Sequence, residues 1–155
     1  MSKRYYIAYG SNLHMGQMRY RCPEARVIGT AEIADYRLMF KGSKTGSYLT
    51  IEPAKGYSVP VAVWDVSPED ELRLDRYEGY PGFYYKKELT LDITGIRTGK
   101  VRRRKVFVYI MHEERRLGTP TESYLETCAT GYGYFGFDME RLVEALEYSM
   151  NGGIA

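Results

Sequence analysis

Segments with the pattern of β-strands dominate the middle of this chain, and they limit its fold more than any other feature. Between residues 26 and 66, and again between residues 83 and 112, short runs of aromatic and β-branched residues alternate with turn residues. Apart from a short segment near the start, helical patterns come late in the chain. Such a distribution predicts an α+β fold with a curved or closed sheet.

The predicted strands are separated by turn signals, and the last two are long. They comprise residues 5–9, 27–40, 48–51, 59–66, 83–93 and 101–112, of which the last two form a hairpin. Residues 41–46 are predicted as a turn or mobile loop, Pro53 as the end of a strand, and residues 55–56 as a turn. Pro60 has no N–H for a ladder, so its strand should have an edge or a bulge there.

The first two predicted helices flank this strand-rich region. A short helix is expected over residues 13–20. Ser67 is a good N-cap for the second helix, which has proline at its first position and ends at Gly79. Its apolar contacts are assigned to Leu72 and Leu74.

Two further helices are predicted near the end of the chain. A capping box at residues 119–122 opens the third helix, which runs through Ala129 and is broken by the glycines of residues 131–136. Asp138 is expected to cap an amphipathic fourth helix that ends at Met150. Its apolar face is assigned to Met139, Leu142, Val143 and Leu146.

Length and charge limit the kind of protein this is. A chain of 155 residues without an internal repeat or linker is expected to form one domain over residues 1–155. A formal net charge of +2 gives no reason to expect a nucleic-acid or membrane partner. No apolar run approaches the roughly 18 residues of a membrane helix. The two cysteines and the absence of a signal-peptide pattern favour free thiols in the cytoplasm.

Cofactor and metal chemistry have no motif in this sequence. His14 and His112 are isolated, and no paired-cysteine or HExxH spacing occurs. Neither GxxxxGK[ST] nor GxGxxG is present. We therefore expect no metal and no cofactor.

The first candidate for chemistry is the turn that follows the opening strand. Gly10 breaks the strand, and Ser11 and Asn12 are residues that cap helices or bond to nearby backbone. Such a turn points several N–H groups in one direction, which provides a site for an anion or an oxyanion. A plain strand-to-helix connection explains the same residues equally well.

The second candidate is Glu78, at the end of the second predicted helix. A carboxylate in the last turn is unfavourable for the helix dipole. Its neighbours Tyr77, Tyr80, Phe83 and Tyr84 are aromatic, and they would desolvate the carboxyl group and favour its neutral form. A carboxyl group tuned in this way suits general acid–base catalysis, although a solvated surface glutamate is the commoner case.

Two other features favour no chemistry. The basic run of residues 100–105 is interpreted as a solvated hairpin end, because aromatic stacking partners for a nucleic acid are absent beside it. Cys128 lies in a predicted helix without an obvious base, which argues against a thiol nucleophile.

Taken in order, several short motifs resemble the gamma-glutamylcyclotransferase-like family over roughly residues 5–124. They are Tyr9-Gly10-Ser11-Asn12-Leu13, Tyr36-Arg37-Leu38 with Phe40, Ile51 with Pro53 and Gly56, and Leu74-Asp75 with Glu78-Gly79, followed by Tyr84 and Glu88. This resemblance implies a small, mixed barrel-like sheet with flanking helices. It also implies a cofactor-independent enzyme of acyltransferase or lyase type, which cyclises the γ-glutamyl group of a small molecule to 5-oxoproline and releases an amine or amino acid.

The resemblance also implies roles for individual residues. Glu78 would be the catalytic acid–base. The substrate-binding residues would be Tyr9, Gly10, Ser11, Asn12, Leu13, Tyr84 and Tyr124, with backbone donors from residues 10–12. The segment after Glu78 is one residue shorter than is typical for the family, so the pocket tyrosine is either Tyr84 or Tyr85.

Several alternatives stay open at this point. A ligand-binding module with the same fold but no chemistry is the second hypothesis, and an RNA-associated module that uses residues 100–105 is the third. The leaving group is expected against residues 41–46 and 131–136, where Tyr132, Tyr134 and Phe135 would form a wall unless they pack in the core. The γ-glutamyl substrate and the oligomeric state are not specified by the sequence.

Overall fold

Five strands close into a barrel in the computed structural model, which describes residues 3–43 and 46–154. The strands are β1 Arg4–Ala8, β2 Arg26–Ser43, β3 Gly46–Val66, β4 Tyr84–Gly95, β5 Val101–Met111 and β6 Arg116–Leu117. The order is β3–β1–β5–β4–β2, and β2 closes the ring by pairing with β3, while β6 pairs with β2. Because β1 and β5 are parallel and the other pairs are antiparallel, the sheet is mixed. The predicted α+β fold with a barrel-like sheet is confirmed.

The helices lie around this barrel. They are α1 Met15–Arg21, α2 Pro68–Glu78, α3 Glu122–Phe135 and α4 Glu140–Met150, and a 3₁₀ turn at Ser11–Leu13 precedes α1. The first predicted helix is therefore divided in two, because His14 is extended and its Nδ1 accepts from Gln17 N at 3.1 Å as a cap. Among the residues that the structure describes, no helix is both long and apolar enough to cross a membrane.

The β2–β3 hairpin is much longer than the sequence pattern indicates. Strand β3 continues from Gly46 to Val66, so the predicted end at Pro53 and the predicted turn at residues 55–56 are both wrong. Its pairing with β2 leaves out residues 54–57. A register shift between Ala34 and Tyr36 absorbs these residues, and Asp35 Oδ1 accepts from Gly56 N at 3.0 Å. Proline and glycine here mark a bulge. Of the predicted loop 41–46, residues 44 and 45 lie outside the described residues.

Pro60 lies where β3 has a single neighbour. It pairs with Glu32 of β2, whereas the ladder with β1 ends at Ala62, opposite Ala8. The register shifts of β2 fall elsewhere, at Val27/Gly29 and Ala34/Tyr36. Within the described pairings, the prediction of an edge at Pro60 is confirmed.

Helix α2 follows its predicted signals at both ends. Ser67 Oγ accepts from Asp70 N at 3.1 Å, proline lies at the start, and Gly79 closes the helix in the left-handed region with φ 64°. The predicted core contact of Leu74 is confirmed because its side chain is fully buried, whereas Leu72 is 60 % exposed. The assignment of Leu72 to the core is wrong.

Helix α3 continues through the glycines that were predicted to break it. Its cap is Thr121, and it ends only at Gly136. A Cβ on Gly131 would lie 2.5 Å from Leu13 Cβ, so glycine here allows a close helix contact. In α4 the buried residues are Leu142, Ala145 and Ser149, whereas Met139 and Val143 are exposed, which corrects the predicted apolar face.

The register of β1 on β3 brings the end of α2 back to the end of β1. Arg4 pairs with Val66 and Ala8 pairs with Ala62, so α2 begins beside the start of β1. An eleven-residue helix is about 16 Å long, which is close to the length of β1 with its following turn. Glu78 is therefore carried back to the level of Gly10. The two candidate segments meet at one end of the barrel.

Candidate active site

A cavity of about 420 Å³ lies where the 3₁₀ turn, the end of α2 and the start of α3 meet. It is lined by Tyr6, Ile7, Tyr9, Gly10, Ser11, Asn12, Tyr48, Leu49, Arg76, Tyr77, Glu78, Gly79, Phe83, Tyr84, Tyr109 and Tyr124. Seven of the eight residues assigned from the sequence are in this group. The exception is Leu13, which is fully buried under the turn and packs against Gly131.

The turn presents backbone donors to the cavity. Leu13 N donates to Gly10 O at 3.0 Å and His14 N donates to Ser11 O at 3.0 Å, which fixes the turn. Among the described residues, the N–H groups of Gly10, Ser11 and Asn12 have no hydrogen-bond acceptor. Free donors on three consecutive residues that line a cavity are suited to an oxyanion or a carboxylate.

The carboxyl group of Glu78 is the acidic group of this cavity. No described residue forms a hydrogen bond or ion pair with it, whereas Asp75 on the same helix is 3.0 Å from Lys86 Nζ and accepts from Tyr109 Oη at 2.6 Å. Burial raises the pKa of Glu78 to about 8, and the charge of Arg21 acts in the opposite direction. The expected aromatic surroundings are present in Tyr77, Phe83 and Tyr84, whereas Tyr80 does not line the cavity. An unpaired, desolvated carboxyl group of this kind can exchange a proton near neutral pH.

The tyrosines around Glu78 hold defined hydrogen bonds. Tyr9 donates to Tyr109 O at 2.7 Å, and Tyr84 donates to Leu49 O at 2.8 Å. The hydroxyl of Tyr124 accepts from Leu49 N at 3.0 Å. Burial raises the pKa of Tyr9, Tyr84 and Tyr124, so all three stay protonated.

The structure decides between the two possible pocket tyrosines. Tyr84 is 6 % exposed and lines the cavity. Tyr85 does not line it; its hydroxyl donates to Glu113, and its ring lies against His112. Neighbouring residues in a strand point to opposite faces, so only one of the two can reach the cavity.

Several residues in or beside the cavity were not recognised in the sequence. Tyr6 and Tyr109 reach the cavity because β1 and β5 lie side by side, a long-range pairing that no local pattern reports. Arg21 approaches it from α1, with its guanidinium stacked 3.4 Å from the Tyr77 ring centre. Tyr48, at the mouth, follows the residues predicted as a loop.

The expected wall at residues 131–136 does not line the cavity. Tyr132 is fully buried in the core, and its ring packs against Phe137. Tyr134 is 61 % exposed, and Phe135 stacks on Phe137. The alternative of core packing is thus correct for Tyr132, and the mouth is formed by Tyr48, Tyr77 and Phe83 together with Arg76.

Neither the basic run nor the acidic residues form a second centre. Residues 101–105 are exposed on β5 and do not line the cavity, and Arg103 pairs with Asp92 at 3.2 Å. Within the described ranges, no group of three His, Cys, Asp or Glu side chains is arranged to hold a metal ion. Glu78 and the turn donors therefore stay the candidate groups for chemistry in this cavity.

Comparison with known proteins gives a family for this arrangement. The profile described as "Gamma-glutamyl cyclotransferase, AIG2-like" matches residues 6–126, which include every residue assigned to the cavity. A Bos taurus protein named gamma-glutamylcyclotransferase is 34 % identical over 95 residues. That alignment covers 56 % of this chain and 50 % of the bovine protein, so the match extends over half of the relative.

Solved structures share the whole fold. A structure named gamma-glutamyl cyclotransferase has a TM-score of 0.78 at 25 % identity and covers 92 % of this chain and 86 % of its own. An uncharacterized Homo sapiens protein gives the same TM-score of 0.78 and identity of 25 %, with coverages of 94 % and 87 %. A yeast cyclotransferase described as specific to glutathione is 12 % identical with a TM-score of 0.57, which shows a shared fold only.

Proposed function

Since this chain belongs to the gamma-glutamyl cyclotransferase, AIG2-like family, we propose that it cyclises the γ-glutamyl group of a small molecule to 5-oxoproline. One observation carries the proposal: an unpaired, desolvated Glu78 carboxyl group shares a cavity with three free backbone donors of the turn. The carboxyl group supplies proton transfer, and the donors supply charge stabilisation. Together they meet the needs of an intramolecular acyl transfer.

Glu78 begins the reaction as a base. The γ-glutamyl substrate carries its α-amine as an ammonium ion, and the ionised Glu78 carboxylate accepts one of its protons. The freed nitrogen attacks the γ-carbonyl carbon and closes a five-membered ring. Because attacker and target belong to one molecule, holding the arm in a bent shape contributes about 7–11 kcal/mol to lowering the barrier. The 420 Å³ cavity is large enough for that folded arm.

The turn and Glu78 complete the reaction. As the nitrogen attacks, negative charge develops on the γ-carbonyl oxygen, and the N–H groups of residues 10–12 stabilise it. One such donor is typically worth about 3–4 kcal/mol in the transition state. Glu78 then returns a proton to the leaving nitrogen, and the γ-amide C–N bond breaks. The ring nitrogen gives up its second proton, which the departing amine takes up in water. The products are 5-oxoproline and a free amine; the step consumes no water, and it uses neither a metal nor a cofactor.

The buried tyrosines shape the substrate pocket in this proposal. Tyr9, Tyr84 and Tyr124 are held by hydrogen bonds to backbone or by packing, and they surround Glu78 with low-dielectric material. This environment keeps the carboxyl group poised between its two forms. The leaving group would extend past the mouth of the cavity at Tyr48 and Phe83. The rings of these two residues pack edge to face with their centres 6.3 Å apart.

Two narrower expectations accompany the proposal. A cytoplasmic location, where thiols stay reduced, is the first of these proposals, and Cys22 and Cys128 are free and buried. The predicted independence from metal is checked by assaying the protein after chelation and dialysis, when an unchanged rate is expected.

A panel of γ-glutamyl compounds tests the function. Purified protein is incubated with γ-glutamyl amino acids and γ-glutamyl amines, and both 5-oxoproline and the released amine are quantified. We expect the two products in a 1:1 ratio for at least one compound. If γ-glutamyl compounds bind, as measured by calorimetry, but none is cyclised across the panel, the protein is a ligand-binding module on the same fold.

A further inference from the structure

Arg21, the last residue of α1, connects three parts of the site. Its guanidinium stacks on the ring of Tyr77 at 3.4 Å and donates to Gln17 Oε1 at 3.2 Å. A third contact is a hydrogen bond from Arg21 Nη1 to Oδ1 of Asn12 in the turn. Arg21 does not line the cavity itself, so it acts on the site through the residues it holds.

This contact fixes the orientation of the Asn12 amide. A guanidinium group only donates hydrogen bonds, so the atom of Asn12 that faces Arg21 must be the oxygen. The amide nitrogen of Asn12 then faces the other way, toward the hydroxyl of Tyr6 at 2.9 Å. Since the amide nitrogen donates, the Tyr6 oxygen must accept.

Tyr6 is left with a hydroxyl proton and no protein acceptor. The described residues offer no hydrogen-bond acceptor for this O–H, and the side chain is 4 % exposed and lines the cavity. Other cavity tyrosines differ: Tyr9, Tyr84 and Tyr109 donate to Tyr109 O, Leu49 O and Asp75 Oδ1. The hydroxyl proton of Tyr6 is therefore available to a bound molecule, as is that of Tyr124, whose oxygen accepts from Leu49 N. Tyr6 differs from Tyr124 because its hydroxyl is directed by a side chain, Asn12, that Arg21 orients.

We propose that Tyr6 is a catalytic residue that donates a hydrogen bond to the γ-carbonyl oxygen of the substrate, and that Arg21 is the positioning residue which, through Asn12, sets the direction of that donation. The inference rests on the proposed cyclisation. It adds a side-chain donor to the backbone donors of the turn. Tyr6 remains a neutral donor because burial and the nearby Glu78 raise its pKa.

The positioning role of Arg21 has to be distinguished from its electrostatic effect on Glu78, which depends on the charged and titratable groups around the cavity. Arg21 from α1 lowers the pKa of Glu78. The tyrosines that face Glu78 are neutral, namely Tyr6 of β1, Tyr9 directly after β1, Tyr84 of β4 and Tyr124 of α3. Rates compared on the high-pH plateau, where Glu78 is ionised in every variant, exclude the electrostatic effect of Arg21 on Glu78. What remains is the effect of the hydrogen-bond relay, which runs from Arg21 through Asn12 to Tyr6.

A double-mutant cycle tests the relay. Tyr6→Phe is expected to lower the plateau kcat about 10²-fold, the usual cost of losing one oxyanion donor. Arg21→Gln is expected to lower it about tenfold alone and by less than twofold in the Tyr6→Phe background. Tyr84→Phe is the matched control, because its hydroxyl bonds to Leu49 O outside the relay. In that background Arg21→Gln should retain its full effect.

Asn12→Asp reverses the relay without removing the Arg21 contact. A carboxylate only accepts hydrogen bonds, so it pairs with Arg21 and draws the Tyr6 proton away from the cavity. We expect this variant to be folded, with an unchanged thermal midpoint within a few degrees, and to lose as much plateau kcat as Tyr6→Phe. An Asn12→Asp variant that keeps wild-type kcat overturns the proposal.

Other results overturn the inference while leaving cyclisation intact. Equal losses from Arg21→Gln in the wild-type and Tyr6→Phe backgrounds show that no relay exists. A Tyr6→Phe variant that shifts the pH limb of kcat/KM, without lowering the plateau, makes Glu78 the acceptor in place of substrate. If the wild type releases no 5-oxoproline, the proposed cyclisation is wrong. The double-mutant cycle of Tyr6→Phe and Arg21→Gln is then measured by calorimetry, as binding of γ-glutamylalanine in the Glu78→Gln background. Absence of coupling there also overturns the relay.

Discussion

The hydroxyl of Tyr77 lies 3.0 Å from Oγ of Ser11, and this contact joins the end of α2 to the turn after β1. The two residues are 66 positions apart in the chain. Tyr77 immediately precedes Glu78, so the contact holds the carboxyl group beside the free N–H groups of residues 10–12. The distance between Glu78 and the N–H groups of the turn therefore depends on this bridge.

Removing the bridge should reduce activity without unfolding the protein. Tyr77→Phe keeps the ring on which Arg21 stacks and deletes only the hydroxyl, so we expect kcat/KM to fall about three- to tenfold, as for the loss of one part-buried hydrogen bond. Tyr20→Phe is the control, because Tyr20 is 91 % exposed. Equal activity of the two variants would show that the bridge does not position Glu78.

The rate of cyclisation should rise with pH. Burial raises the pKa of Glu78 to about 8, so the free protein has its base in the inactive, protonated form at neutral pH. We expect kcat/KM to increase through an apparent pKa near 8. Arg21→Gln should move this limb to higher pH, because the charge that lowers the pKa of Glu78 is removed. A flat profile between pH 6 and 9 would contradict the role of Glu78 as the base.

The folding stability should also depend on the protonation of Glu78, but in the opposite direction, because the protonated form favours the folded state. The Glu78 carboxyl group titrates near 4.5 when unperturbed and near 8 in the folded state, so the folded state binds more protons between these values. Stability is therefore lost as the pH rises from 4.5 to 8. Glu78→Gln removes this loss. The thermal midpoint of the variant should match that of the wild type at pH 4 and exceed it at pH 9. The expected difference is about 2–4 °C for each kcal/mol gained in the free energy of unfolding.

Alanine substitutions at two glycines of α3 should have opposite effects on stability. A Cβ on Gly131 would lie 2.5 Å from Leu13 Cβ, whereas a Cβ on Gly133 would have no atom within 4 Å. Gly131→Ala should therefore destabilise the protein by about 1–3 kcal/mol and displace the turn, which lowers activity as well. Gly133→Ala should stabilise it by about 0.5–1 kcal/mol with unchanged activity. Chemical denaturation of the pair tests whether α3 supports the turn from below.

Local signals explain which parts of this molecule were predictable from sequence. The ends of α2 at Ser67 and Gly79 depend on neighbouring residues, so capping rules located Glu78 correctly. Pro53 and Gly56 were misread because the same residue types serve turns and bulges. What decides between them is the contact of Gly56 with Asp35, 21 positions away.

The relay residues were missed for a related reason. Tyr6 has the pattern of an ordinary strand residue, and Arg21 that of a solvated helix end. Their roles arise only when β1 pairs with β3 and β5, and when α1 folds back to place Arg21 on Tyr77. Hydrogen-bond direction, which assigns the Tyr6 donor, is a property of the assembled side chains and has no counterpart in residue spacing.

The most direct test of the account is 5-oxoproline release by the wild type and by Glu78→Gln at pH 8.5, with Glu69→Gln as control. Glu69 is exposed at the start of the same helix, so its substitution changes the charge of α2 equally without touching the cavity. We expect Glu69→Gln to match the wild type, and Glu78→Gln to lose at least about 10²-fold in kcat, the lower end of the usual contribution of proton transfer. A folded Glu78→Gln variant that releases 5-oxoproline at the wild-type rate would contradict the mechanism.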